Sequence, residues 1–213
     1  MKIKYLAHAA FMITAENGTR IVTDPYETSG GLKHGAIKET ADIVTVSHEH
    51  GDHNNAAAVK GNPVVVKASA EVKGIKIKAV TTAHDDKGGS QRGKNNIFCF
   101  EVDGINICHA GDLGHELTAE QVKAIGRVDV LMVPVGGFFT IDAATATKVC
   151  DQLKPKVIIP MHFKTEKLEF PISGVEAFLK DKSNATRAND SEIEFKAGKL
   201  PAVAQIIVLK QSL

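Results

Sequence analysis

The chain has 213 residues, with 26 lysines and arginines against 25 aspartates and glutamates and a formal net charge of +1. Hydrophobic residues make up 43% and charged residues 24%, proportions that are typical of a globular protein and exclude an intrinsically disordered chain. The balanced charge also argues against binding nucleic acid or an anionic membrane through bulk electrostatics. The unusual feature is histidine, with nine copies, three of them within residues 48–53.

The first half of the chain is predicted to consist mainly of β-strands. Short alternating or β-branched apolar runs separated by turn residues carry this signal. Asn17-Gly18 and Asp103-Gly104 each predict a tight hairpin turn between two strands. The run over 41–47 is short, β-branched and nearly continuously apolar, as in a strand that is buried on both faces. The predicted strands cover 2–7, 10–16, 19–24, 41–47, 63–68, 75–83 and the hairpin over 97–112.

The second half is predicted to alternate helix and strand, which favours an α/β class. Thr118 and Gln121 form a capping-box pattern at the start of one helix, and Ser173 with Glu176 predicts the start of another. Helices are therefore expected after Asn54 or Asn55 (56–61), over 118–125, over 143–153 and after 173; strands are expected over 128–135, 155–160, 191–197 and 204–210. No linker or repeat interrupts the chain, so we expect one mixed domain over residues 1–213.

Cysteine usage and the N-terminus bear on the compartment. The three cysteines show no CxxC spacing and lie in apolar runs, so we expect buried thiols in a reducing environment. The first twenty residues alternate polar and apolar positions, unlike a signal peptide. No window approaches the ~18 apolar residues that a membrane span needs. These features predict a cytoplasmic protein without a membrane span.

Histidine or aspartate follows four of the predicted strands at the point where each ends. His48 follows the strand over 41–47, and His84, Asp112 and His162 follow three later strands. Side chains at the carboxyl ends of neighbouring strands meet at one rim of a sheet. These four residues are therefore expected to lie close together.

The segment from His48 to His53 reads His-Glu-His-Gly-Asp-His and has the chemistry of a metal site. Imidazole and carboxylate are the ligands that suit Zn²⁺ and related divalent ions. Alternate residues of a loop point to different sides, so His48 and His50 could bind one ion while Asp52 and His53 bind another. Histidine is costly to bury without partners, so packing alone does not explain this density.

This pattern resembles the signature of the metallo-β-lactamase superfamily, His-x-His-x-Asp-His after a buried strand. The resemblance extends to Asp24 in IVTDP, which corresponds to an aspartate that supports the metal loop. It implies a four-layer αβ/βα sandwich, with two mixed β-sheets flanked by helices and a dinuclear metal site on its rim. The implied ligands are His48, His50, His84 and the shared Asp112 for one ion, and Asp52, His53, His162 and Asp112 for the other.

Within the superfamily, LAHAAFMI near the start and PVGGFFT after a later strand look most like the L-ascorbate-6-phosphate lactonase-like branch of small hydrolases. The resemblance implies two divalent metal ions, with Zn²⁺ favoured and Mn²⁺, Fe²⁺ or Ni²⁺ left open. It also implies a metal-bridging hydroxide that attacks a small anionic ester, lactone or phosphodiester. The expected partner is thus a small-molecule substrate and not nucleic acid, with homo-oligomerisation left open.

Three residues are candidates for catalytic roles beside the metals. Asp52 would both ligate and orient the nucleophile, while His8 and His115 are candidates to face the substrate. His109 shares a strand face with isoleucines and favours a structural role, and His34 reads as a loop residue that a lid could use.

Two loops could contact the substrate. Lys87, Arg92 and Lys94 in the loop over 85–96 could neutralise an anionic group, although a solvated charged loop is the simpler reading. The segment over 136–140 combines two glycines with two phenylalanines, which could form a substrate wall or a buried turn.

Other functions of the superfamily compete with this hypothesis. A lipid-type phosphodiesterase and a non-catalytic metal-binding or sensing protein remain open. An exported β-lactamase is disfavoured because the sequence shows no signal-peptide pattern. A nuclease is disfavoured by the short chain and its net charge of +1. A flavin-linked di-iron enzyme is disfavoured because a histidine stands where those proteins usually carry an acidic ligand.

Overall fold

A computed structural model describes residues 1–213 as two β-sheets with three α-helices. The strands are β1 (Lys2–Ala7), β2 (Ala10–Thr14), β3 (Arg20–Thr23), β4 (Ile43–Thr45), β5 (Val64–Val66), β6 (Ala70–Val72), β7 (Ile75–Ala83), β8 (Lys94–Val102), β9 (Ile105–His109), β10 (Val130–Pro134), β11 (Val157–Met161), β12 (Ala185–Arg187), β13 (Glu192–Glu194) and β14 (Gln205–Val208). The helices are α1 (Ala119–Ile125), α2 (Ala143–Leu153) and α3 (Glu176–Leu179), and a 3₁₀ turn covers Ala56–Ala58.

Both sheets are mixed. The first has the order β13-β1-β2-β3-β4-β5, with β3, β4 and β5 parallel. The second has the order β12-β14-β11-β10-β9-β8-β7-β6, and its strands from β12 to β9 are parallel. Apolar side chains of both sheets, such as Phe11 and Ile107, belong to one continuous buried core. The predicted metallo-β-lactamase type of α/β sandwich is confirmed.

The outer layers differ between the two sheets. Helices α1, α2 and α3 contribute buried residues such as Val149 and Phe178 to the core that includes the second sheet. The outer face of the first sheet, with Val22 and Val44, instead packs against side chains from irregular segments such as Leu32 and Ile172. None of the helices is long and apolar enough to cross a membrane.

The two predicted hairpin turns and the predicted capping box are confirmed. Asn17-Gly18 joins β2 to β3, and Asp103-Gly104 joins β8 to β9 with both residues at positive φ. The Thr118 hydroxyl accepts from the Gln121 backbone while the Gln121 side chain accepts from the Thr118 backbone, which completes the capping box.

Two helix predictions are wrong in part. The segment expected as a helix over 56–61 is a three-residue 3₁₀ turn over Ala56–Ala58; Asn55 occupies its N-cap position, but its side chain makes no capping hydrogen bond and donates to the Tyr26 carbonyl. Ser173 does not cap α3: its backbone N–H donates to Gly136 and its carbonyl accepts from Lys164, so it joins two loops. The short strands β6 and β12 were not predicted.

Candidate metal centre

The predicted metal ligands converge at one rim, where strand ends of both sheets meet. Ligand atoms in each of two groups lie within 4.8 Å of one another: His48, His50 and His84 form one group, and His8, Asp52, His53 and His162 form the other. The first group corresponds to one predicted ion site. The second contains three predicted ligands of the other site together with His8.

Asp112 lies between the two groups. Its Oδ1 is 3.2 Å from His53 Nε2, and its Oδ2 is 3.2 Å from His84 Nε2 and 3.4 Å from His162 Nε2. One carboxylate therefore faces imidazoles of both groups. This is the placement that a ligand shared by two cations requires.

Asp24 lies beneath this cluster and orients two of its imidazoles. It accepts hydrogen bonds from the Ser47 backbone N–H (2.8 Å), the Ser47 hydroxyl (2.6 Å) and His53 Nδ1 (2.9 Å). His48 Nδ1 lies 2.9 Å from the same hydroxyl. Since a carboxylate can only accept, His53 carries its proton on Nδ1 and leaves Nε2 for a cation. Burial opposes ionisation of Asp24, but the His53 hydrogen bond and neighbouring histidines keep the pKa of its carboxyl below the ordinary value.

Three site residues adopt a left-handed backbone conformation that is unfavourable without glycine. His8, Asp24 and His162 have φ values of 55°, 40° and 50°. The His8 carbonyl accepts from the His162 backbone N–H (3.0 Å) and from the Tyr5 hydroxyl (2.7 Å), which holds two of these residues together. Such strain persists where surrounding structure enforces it, and it is concentrated at functional sites.

Five of the predicted ligand residues carry buried polar atoms without a hydrogen-bond partner, which fits a cation site. The atoms concerned are His48 Nε2, His53 Nε2, His84 Nδ1, both ring nitrogens of His162 and Asp112 Oδ1. Leaving one buried polar atom unsatisfied costs about 1–3 kcal/mol, and ligation of a cation would remove that cost. An imidazole and carboxylate donor set suits a divalent transition metal.

Electrostatics in the cluster agree with this fit. Burial lowers the pKa of His48 to about 3, which keeps the imidazole in the neutral form that a metal needs. Burial would lower the pKa of His53 as well, but the Asp112 and Asp52 carboxylates raise it well above the ordinary value. These carboxylates therefore create a strong demand for positive charge at the centre.

The two other histidines with predicted catalytic roles occupy different environments. His8 Nε2 lies 3.2 Å from Asp52 Oδ2, and its ring centroid is 4.1 Å from that of His162. His115 lies outside both ligand groups: the Ala83 N–H donates to its Nε2 at 3.1 Å, and its Nδ1 donates to the Glu116 carbonyl at 2.8 Å. Their catalytic roles stay predictions.

The remaining histidines make contacts away from the ligand groups. His109 Nε2 donates to the Ala9 carbonyl at 2.8 Å, and its Nδ1 accepts from the Gly111 N–H at 3.2 Å, contacts that suit the structural role expected of it. His34 is buried in an irregular segment with its ring 5.9 Å from that of Tyr26.

Asn95 supports the site, and this role was not predicted from the sequence. It is fully buried, donates to Thr82 Oγ1 (2.9 Å) and the Ala110 carbonyl (3.0 Å), and accepts from the Asp112 backbone N–H at 2.9 Å. It thereby fixes the chain segment that carries the central carboxylate. It stands at the end of a charged, glycine-rich loop, and the only signal available was two consecutive asparagines entering a strand.

A cavity of about 240 Å³ opens above the ligands. His50, Asp52, His84 and Asp112 line its floor, and Arg92, Phe139 and Phe170 line its walls. The rings of Phe139 and Phe170 meet edge to face with centroids 5.5 Å apart, and the Arg92 guanidinium lies 5.5 Å from the Phe139 centroid.

The other residues predicted for the pocket do not line this cavity. Phe138 is 64% exposed, and Lys87 is exposed and paired with Asp86. Lys94 lines a neighbouring cavity with Arg92. A larger cavity of about 660 Å³ between α2 and β14 contains none of the predicted ligands.

Comparison with known proteins agrees with this architecture. The family profile described as a β-lactamase superfamily domain matches residues 2–162. The UPF0173 metal-dependent hydrolase of Pelotomaculum thermopropionicum is 32% identical over 196 residues, covering 78% of this chain and 85% of its own. The corresponding protein of Archaeoglobus fulgidus is 29% identical, with coverage of 91% and 94%.

A solved structure from Thermotoga maritima, assigned to the Zn-dependent hydrolases of the metallo-β-lactamase superfamily, is also similar. It is 42% identical and superposes with a TM-score of 0.82 over 98% of this chain and 97% of its own. A metallo hydrolase of Ignicoccus hospitalis, at 22% identity and a TM-score of 0.61, shares the fold over 79% of this chain and 85% of its own. With the matching profile and the His/Asp cluster at the rim of the two sheets, these likenesses show that the chain belongs to the metallo-β-lactamase superfamily.

Proposed function

We propose that the chain is a hydrolase that uses two divalent metal ions, with Zn²⁺ favoured by the imidazole-rich donor set. The observation that carries this proposal is the Asp112 carboxylate, whose two oxygens face both groups of ligands. One tetrahedral ion needs four donors, and more than four converge here. The proposed ligands are His48, His50, His84 and Asp112 for one ion and Asp52, His53, His162 and Asp112 for the other.

Two bound ions would supply Lewis acidity, which lowers the pKa of a bound water and polarises the bond to be cleaved. The chain's own residues would orient these participants. Because a carboxylate only accepts, His8 Nε2 donates to Asp52 Oδ2 and holds that side chain at the cavity floor. Burial lowers the pKa of His8 to about 3, so it serves as a neutral donor. Asp52 would then orient the attacking water.

The substrate is proposed to be a small anionic ester, lactone or phosphodiester. A cavity of about 240 Å³ suits a small molecule, and its aromatic walls suit an apolar portion of that molecule. Arg92 provides the positive charge: unlike Arg127 and Arg187, it has no carboxylate within 4.0 Å. Membership of the ascorbate-6-phosphate lactonase-like branch, a cytoplasmic location and homo-oligomerisation stay predictions.

Metal analysis with a substrate panel tests this function. We expect elemental analysis to find two metal ions per chain after separate loading with Zn²⁺, Mn²⁺, Fe²⁺ and Ni²⁺, and the most active form to identify the metal. Lactones, bis(4-nitrophenyl) phosphate and thioesters would define the bond that is cleaved. Two bound ions without turnover on any of these classes would favour the sensing function instead.

The Asp112→Ala variant tests the shared carboxylate. It is expected to lose at least one ion and essentially all hydrolysis, because each ion loses a ligand. Asp86→Ala, an exposed carboxylate in the adjacent loop, is the matched control and should retain both ions. Full metal content in the Asp112→Ala protein would contradict the bridging assignment.

A further inference from the structure

The loop that follows the ligand His84 is folded around one carboxylate. Asp85 Oδ1 accepts backbone N–H groups of Lys87 and Gly89, both at 2.8 Å. Its Oδ2 accepts those of Gln91 at 2.9 Å and Arg92 at 2.8 Å. Four backbone donors thus meet a single buried side chain. The path of the loop over 85–93 depends on this carboxylate.

The two ends of the loop are also joined. The His84 backbone N–H donates to the Gly93 carbonyl at 3.0 Å, and the Gly93 N–H donates to the Gly89 carbonyl at 3.0 Å. Gly89 has a φ of +87°, and a Cβ there would meet the Gly93 carbonyl oxygen at 2.8 Å. The loop is therefore a closed unit that begins at a proposed metal ligand and returns beside it.

Arg92 is the cation that this unit holds against the cavity. The Arg92 backbone N–H donates a hydrogen bond to Asp85 Oδ2. The side chain is half-buried, and its guanidinium lies over the Phe139 ring and lines the cavity above Asp112. A guanidinium offers paired N–H donors that match a carboxylate or phosphate group. Lys87 on the same loop is exposed and paired with Asp86, so it does not duplicate this role.

We infer that Arg92 recognises a carboxylate or phosphate group of the substrate and that Asp85 is the positioning residue that presents Arg92 to it. This inference rests on the proposed hydrolase function and adds a determinant of specificity to it. The metal centre would act on the scissile bond, while the loop over 85–93 would select substrates that carry a second, anionic group.

Two esters with one leaving group test the inference on the zinc-loaded protein. 4-Nitrophenyl hydrogen glutarate carries a distal carboxylate, and 4-nitrophenyl valerate is its neutral counterpart. Arg92→Met is expected to raise KM for the glutarate ester about tenfold and to change the valerate KM much less, because a charged hydrogen bond to the distal carboxylate is lost. Arg92→Lys should restore part of the difference, since it keeps the charge without the paired donors.

Asp85→Asn tests whether Asp85 acts through Arg92. The new asparagine has only one side-chain oxygen, and its amide nitrogen cannot accept a hydrogen bond. The backbone N–H groups that one Asp85 oxygen accepted therefore lose their partner. We expect a smaller rise in the glutarate KM, faster amide hydrogen exchange over 86–93 and no further rise when Asp85→Asn is added to Arg92→Met. Asp86→Asn is the exposed control. Additive effects, or equal changes with both esters, would show that Asp85 is merely structural.

The outcomes separate this inference from the proposed function. If the wild type hydrolyses both esters and Arg92→Met changes neither KM selectively, the inference is wrong and the function stands. If the wild type hydrolyses no substrate of any class, the function is wrong. Calorimetric binding of glutarate, 3-phosphonopropionate and valerate still decides the inference in that case, because the first two carry a second anionic group and valerate does not. Equal loss of all three on Arg92→Met would overturn it.

Discussion

The ligand cluster and the cavity wall lie side by side but are built differently. His53, His84, Asp112 and His162 are buried and follow strands or contact residues that do. Arg92, Phe139 and Phe170 are half-buried and lie on irregular segments. The cluster is held by hydrogen bonds to neighbouring backbone and side chains, whereas the wall is held by its own loops. On the proposed function, this difference predicts that the metal centre and the selection of substrate can vary separately.

Among substitutions outside the proposed ligands, removing Asp24 should have the largest effect on the cluster. The Asp24→Ala variant leaves His53 Nδ1 and the Ser47 N–H buried without a partner. We expect a loss of roughly 3 kcal/mol in the free energy of unfolding, from two unsatisfied groups. Zinc affinity should fall about 10- to 100-fold, because the imidazoles lose their orientation. Chemical denaturation and competitive zinc titration measure the two effects.

Asp129→Ala is the matched control for Asp24→Ala. Asp129 is equally buried and accepts from the Asn106 backbone, the Asn106 side chain and Arg127, but it lies away from the rim. The Asp129→Ala variant should lower the free energy of unfolding while leaving the zinc affinity unchanged. An equal fall in zinc affinity in both variants would show that Asp24 acts through stability alone.

A methyl group at Gly114 should disturb the boundary between cluster and wall. A Cβ there would overlap the backbone of His84 and Asp85, so one of these segments must shift. We expect Gly114→Ala to cost about 1–3 kcal/mol of stability through overpacking and to reduce occupancy of the ion bound by His84. Thermal unfolding and zinc stoichiometry report these changes.

Gly35→Ala is the control for this substitution, since a Cβ there meets Leu213 at an ordinary 3.4 Å. Retention of two ions and normal stability in Gly114→Ala would mean that the loop over 85–93 adapts to the methyl group. The cluster and the wall would then be mechanically independent even where they touch.

The contrast between cluster and wall also describes what the sequence could predict. His48, His84 and Asp112 come after three of the predicted strands, and the rule that such strand ends meet at one rim was enough to bring them together. The resemblance then supplied the pairing of ligands into two sites. Periodicity and turn chemistry likewise located the hairpins and α2.

Contacts between distant segments were not predictable in this way. Asn95 acquires its role only because β8 places it beside the Asp112 backbone, and Asp85 only because its loop closes around it. Phe170 reaches the cavity from an irregular segment with no periodic signal. The Asn55 side chain donates to the Tyr26 carbonyl, a contact between distant segments that no local sequence pattern indicates.

The smallest expected effect concerns the aromatic wall, where two adjacent phenylalanines allow a matched test. Phe139 lines the cavity and packs against Phe170 and Arg92, whereas the neighbouring Phe138 ring is largely exposed. Phe139→Ala should raise KM about threefold to tenfold, because a ring contact and a cation–π contact of about 1 kcal/mol in total are lost. Phe138→Ala should change KM by less than about twofold, since an exposed ring contributes little.

Zinc content should stay at the wild-type value in both variants, because a phenylalanine side chain has no polar atom that could orient a metal ligand. Loss of zinc from Phe139→Ala alone would show that the wall supports the metal centre as well as the substrate.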